Sequence, residues 1–301
     1  MYKIVRRVDL FYEQTENLQN LIMEIHNDHP TMGVRDMYFK INPTFMGRDA
    51  FERYCMRNNF MVKKIKNYAR TTDSSGVKRF DNLLEGLVIT RCNQVLQGDI
   101  TYFEVDGTFY YITFVIDAFS RRIVGYSVSN TLLTIETTIP ALNMAIRCKK
   151  GQSMKGLIFH SDGGGQYYCK EFLKITQKNG IRNSMCVDPW ENGKAERING
   201  VIKNNYLIHR DIQSYDALTK EVARAVRLYN YEKPHIKLNR LTPIAFENLL
   251  LLQDQEKNSD ILNCKNQNEQ GHQVPSHFTK KKAAHIYLQK TESILKMNQL
   301  N

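Results

Sequence analysis

The chain has 301 residues, enough for one large domain or two to three smaller ones, and its 42% hydrophobic content supports a packed core. Lys and Arg total 42 against 31 acidic residues; this net charge of +11 is spread along the chain and suits a polyanionic partner as well as an ordinary solvated surface. Six cysteines without a Cys-x-x-Cys pair indicate neither a zinc module nor a disulfide framework, and no apolar run is long enough to cross a bilayer. The opening stretch MYKIVRRVDLFYEQTEN lacks the apolar core of a signal peptide, so a cytoplasmic protein with reduced thiols is expected.

Residues 1–67 read as helical. LFYEQTENLQNLIMEIHNDHP has apolar positions at helical spacing and stops before Pro30. MGVRDMYFKI and GRDAFERYCMRNN follow as shorter helices, the second starting after Gly47. Three helices with tight connections resemble a helix-turn-helix, DNA-binding unit. Lys63, Lys64, Lys66 and Arg70 beyond it suit phosphate contact and a solvated face equally. Residues 68–92, polar at first with Ser-Ser-Gly, read as a linker.

A second domain is expected over 93–250. DITYFEVDG, TFYYITFVIDAFS and RRIVGYSVSN predict three strands joined by short turns, with Asp106-Gly107 as hairpin chemistry. The period then changes: a helix over 134–149 interrupted early by Pro140, a strand over 157–160, a helix over 168–178 and a short strand over 181–185. Helices follow to about His209 and from Tyr215 to Tyr231. The sum is a mixed five-stranded α/β sheet flanked by helices. The tail 251–301 reads as a flexible segment ending in a helix.

HSDGGGQYY, residues 160–168, is a strand-to-helix turn that puts Asp162 at a strand's carboxyl end, where ligands of open sheets gather; the three glycines let a backbone or phosphate approach. Asp99 is expected at the start of the first strand among apolar neighbours, where an acid needs a partner. Glu196 in ENGKAERINGVIKNNYL nearly shares a helix face with Lys203, seven positions on. Three such carboxylates converging at one sheet edge would make a hard oxygen site for Mg²⁺ or Mn²⁺, and two ions would serve phosphodiester displacement. His160 suits orientation of a phosphate or water and a structural hydrogen bond equally. Of the other acids near the strands, Glu104 and Asp117, the second reads as a decoy or a supporting group.

The runs GDITYF…YYITFVIDAFSRRIVGYSVS, IFHSDGGGQY, ENGKAERINGVIKNN and YNYEKPHIKLNRLTP resemble the catalytic core of insertion-sequence transposases of the IS-three family, second-reading-frame type. That core is similar to retroviral integrases and has the ribonuclease-H-like fold, and HPTMGVRDMY resembles the family's N-terminal helical region, so the likeness covers roughly 20–247. The resemblance implies that Asp99, Asp162 and Glu196 are a catalytic, metal-binding D,D,E triad. It implies metal-dependent DNA cleavage and strand transfer, with paired element ends held in a homo-oligomer and an upstream-reading-frame protein as a further partner.

Glu196 follows Asp162 by 34 positions (196 − 162), about two fewer than usual in the family, with the shortening in MCVDPWENG; Glu191 is the competing residue. Leu96 and Gly165 also depart from the usual tryptophan and serine. Lys203, Arg197, Asn192 and His160 are the candidate DNA contacts, each against a plainer structural role. Tyr229, Asn230, His235 and Pro243 match the family's closing pattern and read as packing. An inactive DNA-binding or regulatory relative and a purely hydrolytic ribonuclease-H-like nuclease are the alternative functions.

Overall fold

The computed structural model describes residues 2–62, 80–186 apart from 150 and 152, and 189–268. Strand β1 (Val95–Val105) turns through Asp106 and Gly107 into β2 (Thr108–Asp117), and both turn residues have positive φ, 48° and 77°. That pair fits a two-residue hairpin whose twist matches the strands it joins. β3 (Ile123–Ser129) completes an antiparallel meander, after which β4 (Ile158–Ser161) and β5 (Arg182–Met185) add in parallel. The order is β3-β2-β1-β4-β5, the mixed ribonuclease-H-like sheet that the sequence led us to expect.

Helices cover both faces because alternate strand residues are apolar on both sides. On one face Ile112, Phe114 and Ile116 pack with α6 (Gly193–Asn205) and α7 (Tyr215–Tyr231). On the other, Leu96, Val115 and Val124 meet α4 (Thr138–Cys148) and α5 (Lys170–Lys178). α4 lies so close to β3 that a Cβ on Gly125 would stand 2.1 Å from the Ala141 carbonyl oxygen. Helix α4 starts four residues later than expected, and Pro140 therefore falls in its first turn, where its missing N–H costs nothing.

The first strand begins four residues before Asp99, so this acid lies within the strand rather than at its start. Gly98, just before it, is a strand residue without a side chain because the Phe159 ring fills that space, 2.6 Å from where its Cβ would be.

Three helices precede the sheet: α1 (Tyr2–Asp28), α2 (Val34–Ile41) and α3 (Arg48–Arg57), with Leu18, Ile22, Met37 and Phe51 in their shared core. α1 begins well before the expected Leu10. Charged contacts fasten these helices to the sheet domain: Arg224 to Asp28, Arg240 to Asp36, Arg210 to the Asn27 carbonyl, and Glu232 to Lys40 at 3.4 Å.

The latter part of the expected linker is also part of the packed core. Leu83, Leu84, Leu87 and Ile89 cover Val95, Ala118 and Ile158, and the Leu83 amide donates to Ser184 Oγ. The run's polar opening hides this apolar half in sequence. Lys63, Lys64, Lys66 and Arg70 lie outside the described residues, as does the expected terminal helix.

The chain divides into two compact units, Met1–Ile244 and Ala245–Asn301. Helix α8 (Pro243–Asn268) continues well past the expected boundary at 250, so the first part of the tail is helical. No helix among the described residues is long and apolar enough to cross a membrane.

Candidate active site

Asp99, half-buried on β1, is held on both oxygens. The Ile100 amide donates to Oδ1 at 3.0 Å and Asn199 Nδ2, from α6, donates to Oδ2 at 2.7 Å. Burial first, then the charges of Asp162 and Glu196, push its carboxyl up to about 8. The Ile100 amide pulls the other way. Asp162 and Glu196 are thus the acids near enough for their charges to raise Asp99.

Asp162 follows the last residue of β4, as the glycine-rich run indicated. Its Oδ1 accepts from the Gly164 amide at 3.1 Å, and its carbonyl accepts from Tyr168 Oη at 2.6 Å. Burial raises this carboxyl too, against the Gly164 hydrogen bond. Glu196 is exposed in the first turn of α6. Glu191 is engaged elsewhere: its Oε1 accepts from Asn82 Nδ2 at 2.6 Å. The shortened loop before α6 includes residues 187 and 188, which lie outside the described residues.

Among the described residues no three His, Cys, Asp or Glu side chains are grouped closely enough to hold an ion as they stand. The donor chemistry of the three expected acids nevertheless fits a hard divalent cation: carboxylate oxygens, with a raised Asp99 whose cost a cation would reverse. Exposed on its helix, Glu196 has room to turn toward the two aspartates.

Models of the integrase core domain match residues 89–188 and 179–243, a span that holds the sheet, α4 to α7 and all three acids. An uncharacterized 31 kDa protein of insertion element IS600 from Shigella sonnei is 27% identical over 245 residues, 78% of this chain and 89% of that protein. Transposase InsF for insertion sequence IS3A from Escherichia coli is 29% identical over 177 residues, 58% of this chain and 60% of that one. The chain belongs to the insertion-sequence transposases with an integrase core. The HTLV-2 integrase catalytic core domain in complex with magnesium aligns at 24% identity over 52% of this chain and 96% of its own, with a TM-score of 0.42. The sheet order, not that loose superposition, is what identifies the fold of this transposase.

The four expected DNA contacts separate in the transposase. Lys203 stays beside the acids: its Nζ lies 3.4 Å from Thr101 Oγ1, two residues along β1 from Asp99, and 4.6 Å from the centre of the Tyr102 ring. Arg197 is exposed, but the groups that feel its charge are Tyr229, Lys233 and His235, away from the carboxylates.

The other two are buried. His160 is fully buried, its Nδ1 is 2.9 Å from Ser184 Oγ, and burial pushes it down to about 4, which favours the neutral, structural role over contact with phosphate. Asn192 precedes α6, is only 2% exposed, and donates through Nδ2 to the Gly98 carbonyl at 3.1 Å. It ties the start of α6 to β1.

Asp117 is the decoy: fully buried, it accepts from the backbone amides of Asn93, Phe119 and Ser120. Tyr229 and Asn230 are packing residues as expected. Asn230 brackets the Ile123 backbone through both amide atoms, and the His235 ring meets Tyr229 edge-on at 4.7 Å. Asn199 was missed in sequence, although it stands three positions after Glu196 on the same helix, the one signal available for it.

Proposed function

We propose that Asp99, Asp162 and Glu196 are the D,D,E triad of this transposase and hold Mg²⁺ or Mn²⁺, two ions per site. The observation that carries this reading is the hydrogen bond from Asn199 to Asp99, which seats the helix of Glu196 against β1 beside that aspartate, while Glu191 is held by Asn82. Bound there, the ions supply activation of the attacking oxygen and charge stabilisation of the leaving one. The chain's own groups do the positioning: Asn199 and the Ile100 amide fix Asp99, the Gly164 amide fixes Asp162, and Lys203 offers a cation to nearby phosphate.

In cleavage, water attacks phosphorus at the element end, the P–O3′ bond breaks and the released 3′ oxygen takes up a proton. In strand transfer that 3′-hydroxyl attacks a target phosphodiester and loses its proton as the target's P–O3′ bond breaks. The DNA substrates are element ends and target. The working complex is a homo-oligomer, assisted by the upstream-frame protein or its fusion form, acting in the cytoplasm on nucleoid DNA.

The test is purified protein with Mg²⁺ or Mn²⁺ and DNA carrying the element's ends, beside Asp99→Ala, Asp162→Ala, Glu196→Ala and Glu191→Ala. Joined products from wild type and Glu191→Ala, and none from the other three, are expected. Cleavage without joining would make the protein a hydrolytic nuclease. Activity in Glu196→Ala would remove that residue from the triad, and DNA binding without any cleavage would make the chain an inactive relative.

A further inference from the structure

Strand β1 outruns its neighbour at the carboxylates. Among the described residues β4 pairs only with Val95, Leu96 and Gln97, so beyond Asp99 β1 has its ladder to β2 on one side and an edge without β4 on the other. Strand alternation puts Asp99, Thr101 and Phe103 on the α6 face, and Ile100 and Tyr102 on the opposite one.

Lys203 spans the edge. It comes from α6, touches Thr101 on its own side and reaches the Tyr102 ring on the other. Tyr102 and Phe109 are diagonal neighbours across the hairpin, 39% and 48% exposed, with ring centres 5.4 Å apart and planes at 84°. Two exposed aromatic rings beside a lysine are the elements from which single-stranded nucleic acid sites are built.

We propose that Tyr102, Phe109 and Lys203 form a clamp for the DNA end, with one ring stacking a nucleobase that has left the duplex, the other meeting it edge-on, and the ammonium meeting the phosphate beside it. The proposal rests on the transposase reading and deepens it. Tyr102 is three residues from Asp99, ~10 Å along an extended strand. That distance is about three stacked nucleotides, so the held base lies close to the phosphodiester being cut. Stacking tolerates any base, so the clamp selects an unpaired nucleotide by position rather than identity.

The experiment measures binding and cleavage of duplexes carrying the element's own ends by wild type, Tyr102→Ala, Tyr102→Phe and Phe109→Ala. A matching DNA series carries one abasic site at each terminal position in turn. Tyr102→Ala should bind about tenfold more weakly while Tyr102→Phe binds as wild type. One abasic position should weaken wild type by a similar factor and add nothing to the loss in Tyr102→Ala, a coincidence that a merely misfolded hairpin would not give. Wild-type binding by Tyr102→Ala and Phe109→Ala, or losses that add at every abasic position, would overturn the clamp alone. The same holds if the variants change only the oligomeric state, which would make the rings a protein contact. A wild type that neither binds nor cuts end DNA would overturn the transposase reading, and the clamp with it.

Discussion

Replacing Glu232 by Gln tests how the N-terminal helices are fixed to the integrase core. Glu232 follows α7 and stands 3.5 Å from His29 Nε2, 3.4 Å from Lys40 Nζ and 2.8 Å from Arg227 Nη1. Interaction with His29 first, then the charge of Lys40 and the Arg227 hydrogen bond, outweigh burial and hold its carboxyl at about 2 instead of 4.5. At ~1.4 kcal/mol per pH unit the full difference is worth ~3.4 kcal/mol. The side chain is 28% exposed, so solvent screening cuts this to ~1–2 kcal/mol. His29 itself is pushed down by burial more than Glu232 raises it, so the ring is neutral at pH 7 and the contact is not an ion pair there.

A depressed acid contributes stability that is complete above its unfolded pKa and is lost as pH falls through the folded one. The stabilisation by Glu232 is thus whole above about 4.5 and fades toward 2. Urea denaturation of wild type and Glu232→Gln should differ by ~1–2 kcal/mol at pH 7, or ~2–8 °C in melting temperature, with the gap narrowing below pH 4.5. No gap at pH 7, or an equal gap at pH 7 and pH 3, would refute the charge-based account of this junction.

Three further outcomes are expected. Gly125→Ala must part α4 from β3 because its Cβ would meet the Ala141 carbonyl, so a loss of about 2–3 kcal/mol in urea denaturation is expected. Gly165→Ala, with open space around its Cβ, should stay within ~0.5 kcal/mol of wild type. His160, neutral when folded, contributes stability that is complete above pH 6.5 and lost as pH falls toward 4. Unfolding followed between pH 7 and 4.5 should therefore show a shallower decline in His160→Gln, by up to ~1.4 kcal/mol per pH unit; an unchanged slope would mean that the ring is protonated in the fold.

What the sequence reveals depends on whether the signal is local. The helix from Tyr215 to Tyr231 is read to the residue because Ser214 caps it through the Ala217 amide and its apolar face is regular. The Asp106-Gly107 turn is equally local. Gly98 is not, since its lack of a side chain answers to the Phe159 ring, sixty-one positions away in the chain (159 − 98). The packing of residues 80–92 is hidden for the same reason: their four apolar side chains become a core layer only once Val95, Ala118 and Ile158 are brought together. His160 and Asn192 carry polar groups that serve equally for DNA or for a neighbouring backbone. Burial, which sequence does not display, gives His160 to the Ser184 hydroxyl and Asn192 to the Gly98 carbonyl.

The glycines after Asp162 meet a local steric demand before any demand made by DNA. A Cβ on Gly164 would stand 3.0 Å from Asp162 Oδ1, the oxygen that accepts the Gly164 amide, and a Cβ on Gly163 would stand 3.0 Å from Met185 Cε. Side chains there would push the carboxylate off its hydrogen bond or away from β5. Gly165, by contrast, faces open space and is left to accommodate whatever approaches the site. Asp99 is fixed within a strand and Asp162 by this tight turn, while Glu196 stands exposed in the first turn of a helix that Asn192 anchors to β1. In the proposed triad, two fixed carboxylates and one with rotameric freedom would let the site close around cations without moving the sheet, and Glu196 is the member whose position should change most.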